Sequence, residues 1–253
     1  MTTAKTLVVD QLRVSIHPTA AQASTAAAME VAETLRKLAT RRAVLRVIVA
    51  SAPSQEEMVA RLLRAPGIDW HRVVVFHMDE YVGLPDNAPQ SFARWVRERF
   101  AGVNLGGLHL MRPGADPDGE AARYGALITQ GPIDLTCFGI GANGHIAFNE
   151  PNAAFDQPEA ARSVELSHAS RRQQVEEGLF DSLSAVPTHA VTLTIPTLLS
   201  ATSAIGTVLG QHKASAVART LSGPIGPDCP ATSLRLHPDA SLHLDAEAAA
   251  QLA

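Results

Sequence analysis

The sequence predicts an α/β protein with a mostly parallel sheet in a three-layer α/β/α arrangement. Short β-branched runs alternate with segments of helical spacing, which is typical of βαβ units. The runs are apolar on both faces, as in Val-Val-Val-Phe at residues 73–76, and this pattern suits central strands covered by helices on each side. With 253 residues and 46% hydrophobic content, the chain can bury one full core. We therefore expect residues 1–253 to form a single domain.

The individual elements follow from these two patterns. Strands are predicted over residues 44–49, 72–76, 135–140 and 204–209, where the β-branched runs lie. Helices are predicted over residues 20–38, 55–63 and 91–100, where apolar side chains recur at helical spacing. Pro- and Gly-rich stretches at 112–119 and 223–230 are predicted to be surface loops.

Charge and composition argue against several classes of protein. The net charge of −4 and the lack of an extended Lys/Arg run argue against nucleic-acid or membrane-surface partners. Residues 1–16 mix charged and apolar side chains, unlike a signal peptide, and no apolar stretch is long enough to span a membrane. Cys137 lies in an apolar run and Cys229 in a loop, which favours a reduced cytoplasmic protein over a disulfide framework.

A first candidate binding segment follows the strand at 44–49. In an open parallel sheet, ligands bind at the carboxyl ends of the strands. Here Ser51, Ala52, Ser54 and Gln55 are small or polar and open a helix, where exposed N–H groups and the helix dipole favour a phosphate group. The alternative is an ordinary strand-to-helix turn with a serine cap.

A second candidate lies after the strand at 72–76. Asp79 and Glu80 are adjacent, so their side chains point to opposite sides and at most one faces a given crevice. Partial burial there would raise the pKa of that carboxyl toward the range of a working base. The alternatives are two solvated loop acids, or Asp79 as the cap of a turn.

A third candidate is the glycine-rich segment 139–150, which follows the strand at 135–140. Its glycines allow tight turns beside a ligand, and His145 with Glu150 forms the pair expected of a proton shuttle. The glycines also match G-x-G-x-x-G, but no amphipathic helix is evident after them. A metal site is weakly supported, because His77 would have to join from another strand. An ordinary loop with a buried histidine is the remaining alternative.

Two basic sites complete the set. Arg171 or Arg172 could clamp a phosphate group through paired N–H donors, and Lys213 follows the strand at 204–209 in a chain that otherwise uses few lysines. The alternative for both sites is solvated surface charge.

Two segments resemble the signature motifs of a known family, the isomerising glucosamine-6-phosphate deaminases. They are Met-Asp-Glu-Tyr-Val-Gly-Leu at 78–84 and Gly-Ala-Asn-Gly-His-Ile-Ala-Phe-Asn-Glu-Pro at 141–151. Segments 167–171, 208–214 and 234–238 support the resemblance in the same order along the chain. It covers the chain from about residue 44 onward and implies a Rossmann-like fold. The reaction implied is glucosamine 6-phosphate plus water giving fructose 6-phosphate plus ammonia.

The resemblance also implies roles for individual residues. Asp79 would move a proton between C2 and C1 of the open-chain sugar, and His145 would open the sugar ring, with Glu150 and Asn143 tuning it. The implied substrate-binding residues are Ser51, Ala52, Ser54, Gln55, Gly141, Arg171 and Lys213. Proton transfers of this kind need a base, an acid/base and a charged anchor, and we expect no metal or organic cofactor.

Two departures from the family pattern and two rival functions stay open. Asn143 stands where many members have Asp, and residues 50–54 lack the usual Gly-Gly pair. The rivals are a 6-phosphogluconolactonase, which shares the Gly-His motif, and a non-catalytic sugar-phosphate sensor. Residues 146–151 favour the deaminase. The expected partner is a small-molecule sugar phosphate, and the sequence leaves a homo-oligomer open.

Overall fold

The computed structural model describes residues 4–85 and 87–252. Its strands are β1 (Lys5–Val9), β2 (Leu12–His17), β3 (Leu45–Val49), β4 (Val73–His77), β5 (Asp79–Tyr81), β6 (Gly107–His109), β7 (Leu135–Phe138), β8 (Ala161–Glu165), β9 (His189–Leu193), β10 (Ser203–Val208) and β11 (Ala240–Asp245). Its α-helices are α1 (Ala20–Ala39), α2 (Glu56–Leu62), α3 (Phe92–Phe100), α4 (Pro117–Ile128), α5 (His168–Glu176), α6 (Ile195–Leu199) and α7 (Ala214–Ser222).

Eight strands form the main sheet in the order β1-β2-β11-β10-β7-β3-β4-β6. Every neighbouring pair is parallel except β1 and β2, which form an antiparallel hairpin at one edge. From β3 the chain proceeds through β4 to β6, then returns to β7 beside β3 and proceeds the other way. The order therefore reverses between β3 and β7, which is where an open α/β sheet forms its ligand crevice.

Helices cover both faces of the main sheet, and each face has its own cluster of buried apolar side chains. On one face α1, α2 and α3 pack on the central strands through side chains such as Val31, Val59 and Val96. On the other face α4, α6 and α7 contribute side chains such as Tyr124 and Val217. The predicted three-layer α/β/α class is confirmed. The predicted strands and helices agree with the observed ones to within two residues at each end.

A second, antiparallel sheet of three strands, in the order β5-β9-β8, lies beside the carboxyl edge of the main sheet. Only Met78 separates β4 from β5, so the chain passes from one sheet to the other within a single residue. The backbone N–H of Leu193 donates to the carbonyl of Met78 at 2.8 Å, which anchors β9 at this junction. Aromatic side chains including Tyr81, Phe92 and Phe148 pack around the small sheet. This sheet fixes the position of Asp79.

One predicted loop is partly wrong. Residues 112–116 are irregular, but α4 begins at Pro117, with Asp116 as its N-cap accepting a hydrogen bond from the Gly119 N–H. Proline at the first helical position loses no intrahelical hydrogen bond, so the Pro-rich composition marks a helix start here. In the described part of the chain, every helix is too short or too polar to cross a membrane.

Candidate active site

A cleft of about 450 Å³ opens at the carboxyl ends of β3 and β7, at the reversal of strand order. Such a volume is sufficient for a small polar ligand. The predicted site residues that line it are Ser51, Ala52, Ser54, Asp79, Gly141, His145 and Lys213. These residues come from four separate loops or strands, and the fold brings them into one cleft.

Asp79 lies on β5, and its carboxyl group lines the cleft with only 8% of the residue exposed. Its backbone pairs with Thr192 of β9 in the small sheet. Burial, with a smaller effect from the neighbouring Glu80, raises the pKa of Asp79 to about 8. A carboxyl with this pKa is largely protonated at pH 7, and its ionised form is a stronger base than an ordinary carboxylate. The two alternatives for Asp79, a solvated loop acid and a turn cap, do not fit this environment.

Glu80 points away from the cleft and binds the N-terminus of α3. Its carboxylate accepts hydrogen bonds from the Ser91 hydroxyl and from the backbone N–H groups of Tyr81, Phe92 and Ala93. Helix N-termini favour negative charge, because their first N–H groups lack partners within the helix. The two adjacent carboxyl groups thus have different surroundings, and Glu80 holds a structural position.

His145 is buried beside the cleft, and Asn143 fixes its orientation. The Nδ1 atom of His145 lies 2.8 Å from Oδ1 of Asn143, and Nδ2 of Asn143 donates to Oε2 of Glu150 at 2.9 Å. A carboxylate only accepts hydrogen bonds, so the Asn143 amide nitrogen must face Glu150 and its oxygen must face His145. His145 therefore carries its proton on Nδ1, and Nε2 keeps a lone pair.

Burial lowers the pKa of His145 to about 4, and the charge of Lys213 adds to this effect while Glu150 and Glu177 oppose it. The imidazole is therefore neutral at physiological pH and can act as a base through Nε2. Burial alone would raise the pKa of Glu150, but hydrogen bonds from the hydroxyl and the backbone N–H of Ser167 hold it below its ordinary value. Glu150 thus supports Asn143 as an ionised group and does not line the cleft.

The glycines of segment 139–144 allow His145 to lie where it does. A Cβ atom at position 141 would overlap the imidazole of His145, so Gly141 leaves the room that the ring occupies. Gly144 has φ +87°, a conformation that favours glycine. The segment after it forms turns up to β8 without a helix, which argues against a dinucleotide fingerprint. His77 is fully buried elsewhere, and its Nε2 accepts the Met111 N–H, so it does not join His145.

The segment after β3 divides between the cleft and the core. Ser51, Ala52 and Ser54 face the cleft, and Ala52 precedes a short 3-10 helix, Pro53–Gln55, that leads into α2. Gln55 is fully buried, and its Nε2 atom donates to the carbonyls of Phe138 and Thr207 at 3.1 Å each. Gln55 thus ties the ends of β7 and β10 together and lies outside the cleft, unlike its predicted role in binding substrate.

The predicted basic anchors also lie in different places, inside and outside the cleft. Lys213 is buried in the cleft, just after β10. Arg171 lies outside the cleft, because its guanidinium donates to the carbonyls of Leu183 and Val186 at 2.7 and 3.0 Å. Arg172 is exposed, and its guanidinium lies 3.2 Å from Nδ1 of His168. Of the three, only Lys213 is in position to meet an anion in the cleft.

One wall of the cleft contains none of the predicted site residues, and it is contributed by α5 and its C-cap residue, Glu177. Gln173, Gln174 and Glu177 line it, and Gln174 accepts a hydrogen bond from the Tyr81 hydroxyl at 2.6 Å. Gln173 and Glu177 are four residues apart and share a helix face. That spacing was the available signal, but a polar helix face is usually solvated. Among the described residues, no group of three or more His, Cys, Asp and Glu side chains could hold a metal ion.

The family model described as glucosamine-6-phosphate isomerases/6-phosphogluconolactonase matches residues 18–242. The chain belongs to this family. Relatives in it include a glucosamine-6-phosphate deaminase of Listeria monocytogenes serotype 4a (strain HCC23), which is 34% identical over 206 residues, covering 81% of this chain and 86% of the relative. Another is the glucosamine-6-phosphate deaminase of Exiguobacterium sibiricum, 38% identical over 191 residues, with coverage of 75% and 74%.

Solved structures of the family have the same fold. A monomeric glucosamine-6-phosphate deaminase superposes with a TM-score of 0.84 at 30% identity, covering 94% of this chain and 98% of that one. The 6-phosphogluconolactonase of Trypanosoma brucei superposes with a TM-score of 0.75 at 18% identity, covering 98% and 100%. At that lower identity, the second similarity concerns the fold alone.

Proposed function

We propose that the protein catalyses isomerising deamination of an amino-sugar phosphate, converting glucosamine 6-phosphate and water to fructose 6-phosphate and ammonia. One observation carries the proposal: a carboxyl group with a pKa of about 8, Asp79, and a neutral imidazole, His145, line the same cleft. Relatives more than 30% identical along most of the chain are glucosamine-6-phosphate deaminases, and this supports the choice of substrate.

Ring opening is the first step. The lone pair on Nε2 of His145 accepts the proton of the anomeric hydroxyl, and the resulting imidazolium returns a proton to the ring oxygen as the C1–O5 bond breaks. Asn143 holds the Nδ1–H throughout, so the same nitrogen, Nε2, both takes and gives the proton. The product is the open-chain aldehyde.

Isomerisation and loss of ammonia follow. The carboxylate of Asp79 removes the proton from C2, which lies next to the C1 carbonyl and the ammonium group, while a proton of that ammonium passes to O1; the product is an enolamine. Return of that proton to C1 leaves an imine at C2, and addition of water there releases ammonia. Each step moves protons within the substrate or between substrate and side chains, so the scheme requires no cofactor.

The proposal includes a complete site within one chain. All the residues that the scheme uses belong to a single protomer, and one solved relative is described as monomeric.

Both cysteines, Cys137 and Cys229, are free and buried, which supports the cytoplasmic location expected from the sequence.

The test is release of ammonia and fructose 6-phosphate from glucosamine 6-phosphate by the purified protein. Asp79→Asn should reduce turnover by a factor on the order of 10² to 10⁴, because an amide cannot accept the C2 proton. The matched control is Asp118→Asn, an exposed position on α4 outside the cleft, which should keep full turnover. For the wild type, kcat/KM should rise with pH up to about 8, because Asp79 must be ionised to act.

Three outcomes would contradict the proposal. Absence of ammonia at saturating substrate would exclude the deaminase reaction. Hydrolysis of 6-phosphogluconolactone in the same preparation would favour the lactonase. A rise in thermal stability with sugar phosphates but no turnover would favour a sensor.

A further inference from the structure

The carboxylate of Glu177 occupies the position that an anion would take beside Lys213. Oε1 of Glu177 lies 3.1 Å from Nζ of Lys213 and accepts a hydrogen bond from Nε2 of Gln173 at 2.7 Å. His212 approaches the same oxygen, with its Nε2 atom at 4.0 Å. All four residues line the cleft. Lys213, the only lysine among the described residues that line the cleft, is therefore already paired with a carboxylate.

Helix stability does not explain an acid at this position. Glu177 is the C-terminal cap of α5, where the helix dipole is negative and disfavours a carboxylate. The side chain also lines the cleft with 16% of its surface exposed, and burial of most of a charged group is unfavourable without a partner. Its contacts with Gln173 and Lys213 compensate for that cost. The position of the Glu177 carboxylate is therefore explained by its partners in the cleft and not by the helix.

The other ionisable groups of the cleft offer little attraction to an anion. Asp245 and Glu247 are acidic, the Asp79 carboxyl with its pKa of about 8 gains negative charge as the pH rises, and among the described lining residues Lys213 alone has a permanent positive charge. Arg171, the other predicted anchor, is bound to backbone carbonyls outside the cleft. A phosphate dianion that binds Lys213 must therefore either displace Glu177 or share the ammonium with it, and like charges at such distances repel strongly.

We infer that Glu177 is a specificity-determining residue that weakens the binding of phosphate dianions. It thereby shifts the preference of the cleft toward amino sugars that carry less charge on the group that meets Lys213. The inference rests on the proposed function for the identity of the sugar. Glu177 competes with the phosphate group for Lys213, and it leaves the binding of an uncharged hydroxymethyl group unaffected.

Glu177→Gln tests the inference, because it keeps the shape and the hydrogen bond from Gln173 but removes the charge. Calorimetric titration at pH 8, with Asp79→Asn added to each protein so that no turnover occurs, would measure the Kd of three probes: inorganic phosphate, glucosamine 6-phosphate and unphosphorylated glucosamine. The variant should bind the two phosphates about tenfold more tightly, a change that corresponds to roughly 1.4 kcal/mol. Its affinity for glucosamine should match that of the wild type.

Two further variants test whether the gain in phosphate affinity depends on Glu177 itself and on Lys213. Glu176→Gln removes the same charge from the exposed neighbour on α5, and it should leave all three affinities unchanged. Lys213→Met in the Glu177→Gln background should abolish the gain, because the released ammonium would be its source. Glu177→Ala replaces Glu177→Gln if the latter does not fold, as judged by its circular dichroism spectrum.

Equal phosphate affinity in the wild type and in the folded Glu177 variant would overturn the inference, even if the wild type turns over glucosamine 6-phosphate. A similar gain from Glu176→Gln would also overturn it, since the effect would then be one of overall charge. Tighter phosphate binding by Glu177→Gln with no ammonia release from either protein would support the inference and refute the proposed deaminase function.

Discussion

At the scale of single residues, Asn143 is the position where this chain departs from the motif it otherwise resembles. Its amide joins His145 to Glu150 by two hydrogen bonds and so fixes which imidazole nitrogen carries the proton. A neutral amide oxygen stabilises an imidazolium less than a carboxylate would. Asn143 therefore preserves the orientation of His145, while the basicity of the His145 imidazole stays low.

Replacement of Asn143 by Asp should make His145 more basic. A carboxylate at Nδ1 stabilises the imidazolium, so the pKa of His145 should rise from about 4 toward its ordinary value of about 6.5. The imidazole resonances in a ¹H–¹⁵N NMR pH titration would measure this directly, with Asn87→Asp as an exposed control. An unchanged titration of His145 would mean that position 143 does not tune it.

The sequence was sufficient to predict three of the residues that line the cleft. Asp79, His145 and Lys213 follow strands, carry unusual functional groups, and lie in the cleft as expected. Arg171 and Gln55 have the same kind of functional groups, but they bind backbone carbonyls instead. The sequence does not encode locally whether a guanidinium or an amide meets a ligand or a carbonyl, because that depends on which distant backbone groups lack partners.

At the scale of elements, the junction between β4 and β5 separates the functions of two adjacent carboxyl groups. Asp79 faces the cleft, and Glu80 accepts hydrogen bonds from the first N–H groups of α3. The small sheet holds both in register with β9. The start of α3 is therefore attached to the strand that carries the proposed base.

Replacement of Glu80 by Ala should destabilise the protein by about 2–4 kcal/mol, because buried N–H groups at the start of α3 would lose their acceptor. Urea denaturation would measure the free energy of unfolding. Glu98→Ala is the control, since Glu98 lies on the exposed side of the same helix and pairs with Arg94 on the surface. Equal losses for the two variants would mean that Glu80 does not cap the helix.

At the scale of the whole molecule, the fold was predictable where strands are apolar on both faces. The runs that became β3, β4, β7 and β10 are of this kind. The small sheet, the β1–β2 hairpin, β6 and β11 were not predicted. The sequence of β8, Ala-Arg-Ser-Val-Glu, and that of β11, Ala-Ser-Leu-His-Leu-Asp, have no such run. They are strands because distant segments pair with them, and local patterns do not report such pairing.

The two sheets share apolar contacts, so we expect residues 1–253 to unfold as one unit. Val191 and Leu193 of β9 are buried in the same cluster as Phe76 of the main sheet. Differential scanning calorimetry should show a single transition, with equal calorimetric and van't Hoff enthalpies and a Tm independent of protein concentration. Two resolved transitions would identify the small sheet as a separate unit, and a Tm that rises with concentration would reveal assembly.

The position of β11 between β2 and β10 has a consequence for the nascent chain on the ribosome. Leu12 and Val14 of β2 are buried, and β2 pairs with β11 over residues 240–245. At about 5–20 residues per second, synthesis of the intervening chain takes on the order of 10 s or more. During that time, the β1–β2 hairpin has an open apolar edge, which is the kind of surface that chaperones bind. β2 thus gains this neighbour in the sheet only after the residues between β2 and β11 have been translated.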